Sequence, residues 1–346
     1  NHKTSYDIPL RLVGSEMCIR DRIKNAFTNH ENWDLAWKDP TPKKEYDVVI
    51  IGGGGHGLAT AYYLAKEHNI TNVAIIEKGW IGGGNVGRNT TIIRSNYMHD
   101  ENALFSEFGM NLWRKMSQDL NYNVMFSPRG IINLAHSDAQ MNAYARRGNS
   151  MRLNGIDAVL LNREQVKEII PMADFSDNVR FPIFGGLMQP SAGTARHDAV
   201  AWGYARQADS MGVDIIQNCE VTGFDLSAGK IKGIRTSRGD IKVKKVGLCV
   251  AGSTNILAEK LNMTLPIETH LLQACVSEPV KPVLDRVVTF GAGHFYISQS
   301  DKGEMVMGGD LDGYNSYAQR GNLPTCLLYT SPSPRDVEES GMPSSA

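Results

Sequence analysis

A glycine-rich turn between an apolar strand and a helix restricts the fold of this chain more than any other feature. Residues 46–51 read YDVVII, a short β-branched run typical of buried parallel strands. The run leads directly into GGGGHG, which contains a G-x-G-x-x-G pattern, and residues 58–67 then have the composition of an amphipathic helix. A second apolar strand, residues 73–76, ends in Glu77. This order of elements predicts a dinucleotide-binding βαβ unit over residues 46–78.

Each glycine of the pattern has a separate mechanical role. Gly52 permits the tight turn from strand to helix, Gly54 lets the backbone approach a pyrophosphate, and Gly57 allows the helix to pack closely on the strand. The helix N-terminus offers unpaired N–H groups and the positive end of its dipole to the phosphates. Glu77, which lies 20 residues after Gly57, is placed to accept hydrogen bonds from ribose hydroxyls.

The βαβ unit alone fits either a nicotinamide or a flavin dinucleotide, and the segments after it favour the flavin. Residues 79–97 contain a second glycine cluster, polar residues and a strand-like TTIIR, whereas a nicotinamide enzyme more often continues into another helix. Apolar and polar residues alternate in three later segments, Cys219–Phe224, Lys230–Thr236 and Asp240–Val243. Turns that contain glycine separate these segments, which predicts a β-meander. Val246–Gly252 then reads as another buried strand. A meander followed by such a strand is typical of FAD-binding domains of the glutathione-reductase kind.

Composition excludes several other classes of protein. The 346 residues suffice for two domains, and 42% hydrophobic with 21% charged residues describe an ordinary globular protein. A net charge of −1 gives no indication of a nucleic-acid or membrane partner, and no apolar run reaches about 18 residues. Five scattered cysteines without a C-x-x-C pair argue against a zinc site and favour a cytoplasmic location. His99, His136, His270 and His294 follow no metal-ligand spacing, so no metal is expected.

The two ends of the chain differ in character from the rest. Residues 11–22 (RLVGSEMCIRDR) and 326–336 (CLLYTSPSPRD) resemble translated sequencing-adaptor DNA, although the Ser/Pro-rich end also fits an ordinary disordered tail. We therefore expect residues 1–22 and 325–346 to be non-native tails. On this interpretation the natural chain continues beyond about Pro324, and its C-terminal part is missing here.

Longer strings in the chain resemble the β subunits of heterotetrameric sarcosine oxidases. The resemblance covers roughly Trp33 to Gly321, most of the sequence apart from its ends. The strings that carry it are GGGGHGLATAYYLAKEH (52–68), EKGWIGGGNVGRNTTIIRSNY (77–97), SQDLNYNVMFSPRG (117–130), RLNGIDA (152–158), GTARHDAVAWGYAR (193–206), GVDIIQNCEVTGF (212–224) and YISQSDKGEMVMG (296–308). The resemblance implies an α/β fold of the D-amino-acid-oxidase-like superfamily. A glutathione-reductase-like FAD-binding Rossmann domain is paired there with an α+β substrate domain on a mixed sheet, which we expect to be incomplete at the C-terminus.

The resemblance also implies that both domains are discontinuous in sequence. The FAD-binding domain is expected to comprise residues 46–98 and 195–262. The substrate domain is expected to comprise residues 99–194 and 263–324, and residues 23–45 form an N-terminal arm. The chain would therefore pass between the two domains more than once.

His197 lies in the string GTARHD, immediately before residues 199–208, which have helical character. From these residues alone, Asp198 fits the N-cap of the helix and His197 fits a partly buried loop histidine. The resemblance implies a different role, because the matching histidine of the β subunits carries covalently attached FMN. A neutral imidazole nitrogen is a competent nucleophile toward an activated flavin methyl carbon. Arg196 is expected to contact the FMN, near its phosphate or its electron-rich ring.

Arg94 is the candidate for substrate binding. It ends the TTIIR string, and the arginine in the similar string of monomeric sarcosine oxidases holds the substrate carboxylate, for which a guanidinium is well suited. The alternative is an arginine in a surface or structural ion pair. The resemblance further implies a set of FAD contacts, one of which is a backbone contact between a valine and the adenine. The expected FAD-binding residues are Gly52, Gly54, Gly55, His56, Gly57, Glu77, Asn85, Thr90, Thr91 and Val221.

The resemblance implies flavin-dependent oxidation of sarcosine to glycine in an assembly with α, γ and δ subunits. Electrons pass from non-covalent FAD to covalent FMN, where O₂ is reduced to H₂O₂. The methyl group reaches tetrahydrofolate as an imine or formaldehyde equivalent, and NAD and tetrahydrofolate are expected on the α subunit. Two alternatives are an FAD-dependent amine oxidase or dehydrogenase of the dimethylglycine or glycine type acting alone, and a non-enzymatic FAD-binding fragment. Because the family's C-terminal portion contributes flavin and substrate contacts, this 346-residue chain is expected to be inactive.

Overall fold

The structure, a computed structural model, describes residues 23–29, 36–267, 269, 274–291 and 295–309. The predicted non-native tails, His270 and His294 lie outside the described residues. Residues 1–38 form one compact unit, in which residues 23–27 are helical, and residues 39–346 form another. The fold and the site described below belong to the second unit.

Helices and strands alternate in the first half of this unit, and strands dominate the second half. In chain order, the described strands are β1 (Glu45–Ile51), β2 (Val73–Ile76), β3 (Ile92–Ile93), β4 (Ile131–Ala135), β5 (Val159–Asn162), β6 (Gly185–Gln189), β7 (Gly193–Thr194), β8 (Asp214–Ile216), β9 (Val221–Ser227), β10 (Lys230–Thr236), β11 (Gly239–Leu248), β12 (Ala274–Pro279), β13 (Val287–Phe290), β14 (Phe295–Gln299) and β15 (Glu304–Gly309). The described α-helices of the unit are α1 (Gly55–His68), α2 (Asp100–Asp119), α3 (Asp138–Leu153), α4 (Arg163–Ile169), α5 (His197–Ser210) and α6 (Thr254–Glu259). Short 3₁₀ helices cover Asn85–Arg88 and Ala251–Ser253.

The first sheet has six strands in the order β8-β2-β1-β11-β10-β9. β1 pairs in parallel with β2 and β11, and β2 pairs in parallel with β8, whereas β9, β10 and β11 form an antiparallel meander. The apolar run that predicted β2 is buried throughout and that of β1 is mostly buried, with Val49, Ile50, Ala74 and Ile75 fully inaccessible to solvent. With α1 between β1 and β2, the predicted βαβ unit is confirmed.

One predicted boundary in this sheet is wrong. The sequence suggested a meander strand at residues 240–243 and a separate buried strand at 246–252, but β11 is continuous from the first into the second. Lys242 pairs with Gly233 of β10 and with Glu45 of β1, so the strand changes partners at this residue without a break. The meander is therefore an extension of the parallel sheet, and its apolar side chains join the same core.

Helices α1 and α5 lie side by side and run in the same direction. α1 connects β1 to the parallel strand β2, and α5 leads into β8, which is parallel to β2. Tyr62 and Tyr204, each the eighth residue of a 14-residue helix, meet edge to face with ring centroids 5.4 Å apart. The N-termini of the two helices therefore lie at a common level, at the carboxyl edge of the parallel strands.

The second sheet has seven strands in the order β12-β15-β14-β13-β4-β6-β5. It is mixed, because β13 and β4 are parallel while the other neighbours are antiparallel. Helices α3 and α4 pack against β5 and β6, and Ile132, Leu134, Leu161 and Val166 belong to the core beneath α4. This mixed sheet is the one that the resemblance predicts for the fold.

A two-stranded antiparallel ladder joins the loop after β2 to the segment before α5. In this ladder Ile92 of β3 pairs with Thr194 of β7, and Ile93 pairs with Gly193. Ser127 forms a further bridge with Thr194. The ladder brings the second glycine loop next to the start of α5, although the two segments are far apart in the sequence.

Candidate functional site

The turn between β1 and α1 forms a cradle with one open side. Gly52 has a φ of +110°, and a Cβ added there would lie 2.3 Å from the carbonyl oxygen of Cys249. A Cβ on Gly57 would lie 1.9 Å from the carbonyl oxygen of Gly52, so only glycine allows this packing of helix on strand. A Cβ on Gly54, in contrast, would meet nothing within 4 Å. The space beside Gly54 fits a phosphate group that approaches the backbone closely.

The N-terminus of α1 is prepared for an anion. Gly54 is its N-cap residue and provides no side-chain hydrogen bond, and the first turn contains no acidic residue. Gly55 and His56 begin the helix, and the side chain of His56 is exposed. Because the first N–H groups of a helix have no intrahelical partner, they and the positive dipole end are available to a negatively charged ligand.

Glu77 holds the glycine turn against the loop that follows β2. Its Oε2 accepts a hydrogen bond from the N–H of Gly53 and its Oε1 accepts one from the N–H of Gly79, both at 2.8 Å. The N–H of Gly82 also donates to the carbonyl oxygen of Gly53 at 3.1 Å. Each carboxylate oxygen keeps a further lone pair, so the half-buried Glu77 can also accept from ribose hydroxyls.

Val221 begins β9 near Glu77. The N–H of Cys219, two residues earlier, donates to the carbonyl oxygen of Glu77 at 2.9 Å. The side chain of Val221 is buried in the core of the first sheet, and the residue is paired with Thr236 of β10. A ligand could therefore contact Val221 through its backbone only, which is the kind of contact expected with the adenine.

The loop after the second glycine cluster is fixed to the start of α5. Its 3₁₀ helix begins at Asn85 and packs against α5. Thr91 has a φ of +60°, which is unusual for a β-branched residue and indicates backbone strain. Its carbonyl oxygen accepts a hydrogen bond from the N–H of Ala195 at 3.2 Å, and both Thr90 and Thr91 are half-buried. The strained segment is therefore held in place by the backbone that leads to His197.

His197 is the first residue of α5 and Arg196 is the N-cap, so the N-cap role expected for Asp198 is wrong. Asp198 lies instead in the first turn, where its carboxylate accepts a hydrogen bond from the N–H of Ala199 at 2.8 Å and complements the helix dipole. The Nδ1 atom of His197 is buried and has no hydrogen-bond partner among the described residues. A buried polar atom without a partner is costly, and this nitrogen therefore fits a bond to a ligand.

Arg196 is fixed by two carboxylates. Its Nε donates to Oδ1 of Asp198 at 2.9 Å, its Nη2 donates to Oδ2 of the same residue at 3.3 Å, and its Nη1 donates to Asp301 at 2.9 Å. Burial raises the pKa of Asp198, but the hydrogen bonds from Arg196 and Ala199 outweigh it and hold the pKa below its usual value. Contact between Arg196 and an FMN phosphate stays a prediction; the three hydrogen bonds to Asp198 and Asp301 leave one further N–H on each of Nη1 and Nη2 for such a contact.

Arg94 has no carboxylate partner in the part of the chain that the structure describes, which argues against the alternative of an ion pair. Its Nη1 donates to Oδ1 of Asn96 at 2.6 Å. Its guanidinium carbon lies 4.5 Å from the centroid of the Tyr97 ring, a cation–π contact. Arg94 is therefore held in place by groups that leave its positive charge available.

A buried polar network supports the loop of Arg94. Ser95, Asn96 and Gln189 are almost fully buried. The N–H of Ser95 donates to Oε1 of Gln189 at 3.0 Å, and Nδ2 of Asn96 donates to Oδ1 of Asn133 at 2.7 Å. Gln189 ends β6 and Asn133 lies in β4, so these bonds fix the loop on the second sheet.

Sequence reasoning missed Arg147, which reaches the same loop from α3. Its Nε donates to the carbonyl oxygen of Asn96 at 2.7 Å, and its Nη2 donates to the same oxygen. Helical spacing was a usable signal, because Arg147 shares one face of α3 with Tyr144, Gly148 and Met151, of which the last two are buried. An arginine on the inner face of a helix needs a polar partner.

The expected site residues thus fall in two connected places. The glycine cradle, Glu77 and the start of α5 lie at the carboxyl edge of the first sheet, and the loop of residues 85–94 runs from there to the second sheet. Within the described ranges, no group of three or more His, Cys, Asp or Glu side chains is arranged to hold a metal ion. None of the helices described above combines the length and apolar character needed to cross a bilayer.

A Rossmann-type sheet with an open glycine cradle, joined to a mixed second sheet, is the architecture of FAD-dependent oxidoreductases, and the fold places the chain in this class. The chain belongs to the FAD dependent oxidoreductase family, whose sequence profile matches residues 47–338. The predicted fold class is therefore confirmed.

Individual relatives confirm the resemblance inferred from the sequence strings. Sarcosine oxidase subunit beta of Rhizobium meliloti (strain 1021) is 63% identical over 303 residues, which are 88% of this chain and 73% of that protein. The protein of the same name from Rhodobacter capsulatus is 52% identical over 299 residues, 86% of this chain and 72% of that protein. Among solved structures, L-proline dehydrogenase from P. horikoshii superimposes with a TM-score of 0.73 at 27% identity, over 80% of this chain and 73% of that one.

Proposed function

We propose that the chain is the flavin-binding β subunit of a sarcosine oxidase and contains the site at which sarcosine is oxidised to glycine. The observation that carries this proposal is Arg94, a guanidinium without a carboxylate partner among the described residues, on the loop that leads away from the glycine cradle. Sarcosine has a carboxylate that a guanidinium can bind through two parallel hydrogen bonds. The identity of 63% and 52% to two sarcosine oxidase β subunits supports the same substrate.

The residues of the cradle fit FAD. The space beside Gly54 and the N-terminus of α1 would hold the pyrophosphate, and Glu77 would accept hydrogen bonds from the ribose. When bound, FAD supplies the two-electron oxidant for the C–N bond of the substrate. Arg94 would bind the substrate carboxylate and thereby orient the N-methyl group. The overall reaction converts sarcosine, water and O₂ into glycine, a formaldehyde equivalent and H₂O₂.

The proposal includes a covalent FMN on His197. Its support is the buried Nδ1 atom without a described hydrogen-bond partner, located at the sheet edge where α1 also begins. Arg196 would contact this FMN. Companion α, γ and δ subunits would complete the assembly, with NAD and tetrahydrofolate bound on the α subunit and the methyl group passed on to the folate.

Two alternative functions differ from the proposed one in the role that they give His197. An FAD-dependent enzyme of the dimethylglycine or glycine type that acts alone, and a non-enzymatic FAD-binding fragment, both leave the imidazole without a covalent role. The Nδ1 atom, which has no hydrogen-bond partner in the part of the chain that the structure describes, favours the sarcosine oxidase β subunit over both alternatives.

Because this 346-residue chain is expected to lack some flavin and substrate contacts, the substrate is tested with an enzyme assembled from the complete β subunit, mixed anaerobically with sarcosine, dimethylglycine or glycine. We expect sarcosine to bleach the flavin absorbance fastest. Faster bleaching by dimethylglycine or glycine would favour the first alternative, and no bleaching by any of the three would favour the fragment. Acid precipitation tests the second flavin: flavin fluorescence in the protein pellet is expected, whereas a yellow supernatant over a colourless pellet contradicts the covalent FMN.

A further inference from the structure

Two arginines from different elements hold the same asparagine. Nη1 of Arg94 donates to the side-chain Oδ1 of Asn96 at 2.6 Å. Nε of Arg147, from α3, donates to the backbone carbonyl oxygen of Asn96 at 2.7 Å, and its Nη2 donates to that oxygen as well. Asn96 is almost fully buried and is fixed from a third side by Asn133 of β4. The position of Arg94 therefore depends on Arg147 through a single buried residue.

The two positive charges are not compensated within the described structure. The acidic side chain that contacts this loop, Glu107, bonds to the hydroxyl of Ser95 at 2.7 Å and to Arg114 at 3.0 Å. Burial, and then the positive charge of Arg94, lower the pKa of Arg147. Like charges held close together in a partly buried place favour an anion that bridges them.

We propose that Arg147 is a positioning residue of the substrate-carboxylate site: it fixes Asn96 so that Asn96 orients Arg94, and it adds a second positive charge to that site. This inference rests on the proposed function and deepens it, because the anion it assigns is the α-carboxylate of an N-methylated amino acid. Substrate selection follows from it. An amine without a carboxylate would leave both guanidinium charges uncompensated, and the site would therefore reject it.

Substitution of Arg147 in the assembled enzyme tests the inference, with Arg146→Gln as the matched control, because Arg146 is the exposed neighbour on the same helix. In Arg147→Gln we expect KM for sarcosine to rise about 10- to 100-fold while kcat changes by less than about threefold. The Kd of acetate, measured by its perturbation of the flavin absorbance spectrum, should rise in parallel. Arg147→Lys keeps the charge but loses the planar fork, so intermediate values are expected. Arg146→Gln should match the wild type in every measurement.

The outcomes separate this inference from the function on which it rests. KM and acetate Kd within about twofold of the wild type in the Arg147 variants would overturn the inference. A loss in kcat with unchanged KM and acetate Kd would overturn it as well. If Arg147→Gln does not assemble, the same criteria apply to Arg147→Lys. A wild-type enzyme that sarcosine does not reduce contradicts the proposed function instead, and the acetate titration, which needs no turnover, still decides the role of Arg147.

Discussion

The carbonyl oxygen of Thr91 accepts a hydrogen bond from the backbone N–H of Ala195 at 3.2 Å, two residues before His197. Thr91 lies in the loop proposed to contact FAD, and His197 is the residue proposed to carry FMN. The adjacent pair of Ile92 and Thr194 extends this contact into a short ladder. The two proposed flavin positions are therefore joined through the backbone, and their spacing does not depend on which side chains occupy the ladder.

Gly57 and Gly54 should respond differently to the same added methyl group. A Cβ on Gly57 would lie 1.9 Å from a backbone oxygen, so Gly57→Ala should lower the free energy of unfolding by about 3 kcal/mol or more. Gly54 has a φ of −84°, and a Cβ added there would meet open space. Gly54→Ala should therefore change the free energy of unfolding by less than about 1 kcal/mol, but it should weaken FAD binding. Denaturant unfolding and FAD titration measure both quantities. Equal stability of the two variants would contradict the assignment of Gly57 to helix packing and of Gly54 to ligand binding.

Glu77→Gln should weaken both the turn and cofactor binding. The amide can accept only one of the two N–H groups that Glu77 now accepts, so the variant should lose about 1–3 kcal/mol of unfolding free energy and bind FAD less tightly. Glu67→Gln is the control. The Glu67 side chain is 55% exposed, and its ion pair with Lys66 is long, with Oε1 3.8 Å from Nζ, so its loss should have little effect. Thermal unfolding with and without FAD would show the difference, and equal effects of the two substitutions would contradict it.

His197→Ala should remove the acid-stable flavin without destabilising the protein. Because Nδ1 has no described hydrogen bond to lose, the free energy of unfolding should change by less than about 1 kcal/mol. Flavin fluorescence of the acid-precipitated protein is the measurement, and His99→Ala, at an exposed helix start, is the control. Persistence of acid-stable flavin in His197→Ala would show that the attachment lies elsewhere.

The ion pair of Asp198 and Arg196 should make stability depend on pH in the acid range. Burial raises the pKa of Asp198, but the hydrogen bonds from Arg196 and Ala199 outweigh it and place the pKa below the ordinary value of 3.8. The carboxylate therefore contributes stability above pH 3.8, and this contribution is lost as the pH falls through the lower folded-state pKa. Asp198→Asn should be less stable than the wild type by about 1 kcal/mol at neutral pH. Urea unfolding at several pH values should show the two proteins converging in acid, and a gap that is independent of pH would contradict the prediction.

The parts of the structure that the sequence predicted best depend on residues close together in the chain. The roles of Gly52 and Gly57 follow from spacing because the two residues contact each other within one turn, and the structure shows that contact directly. Glu77 at the end of β2 follows for the same reason. The boundary of β11 was harder to predict from the sequence. Lys244 and Lys245 are both exposed and interrupt the alternation of buried and exposed residues that marks a strand.

Other features depend on tertiary packing, and the sequence does not identify the partners involved; helical spacing places Arg147 on the inner face of α3, for example, but does not show what it contacts there. Arg147 and Asn96 are 51 residues apart, and nothing near either residue in the chain indicates the other. The role of Asp198 as an N-cap was a reasonable expectation from residue type, but its carboxylate pairs with Arg196 and the helix begins at His197, two residues earlier than expected. That Nδ1 of His197 has no hydrogen-bond partner among the described residues depends on the tertiary surroundings of the imidazole, which a pattern of residues cannot reveal.

The alignment of α1 and α5 through Tyr62 and Tyr204 also bears on how such a site can diverge in evolution. Both helices have their first turn at the same edge of the sheet. The two first turns nevertheless belong to separate segments of the chain, the glycine turn for α1 and the segment around His197 for α5. A substitution at position 197 would therefore add or remove the proposed covalent attachment point while the glycine turn of α1 stays intact. With the proposed attachment at His197, changes at a single helix start are enough to give descendants of one scaffold either one or two redox centres.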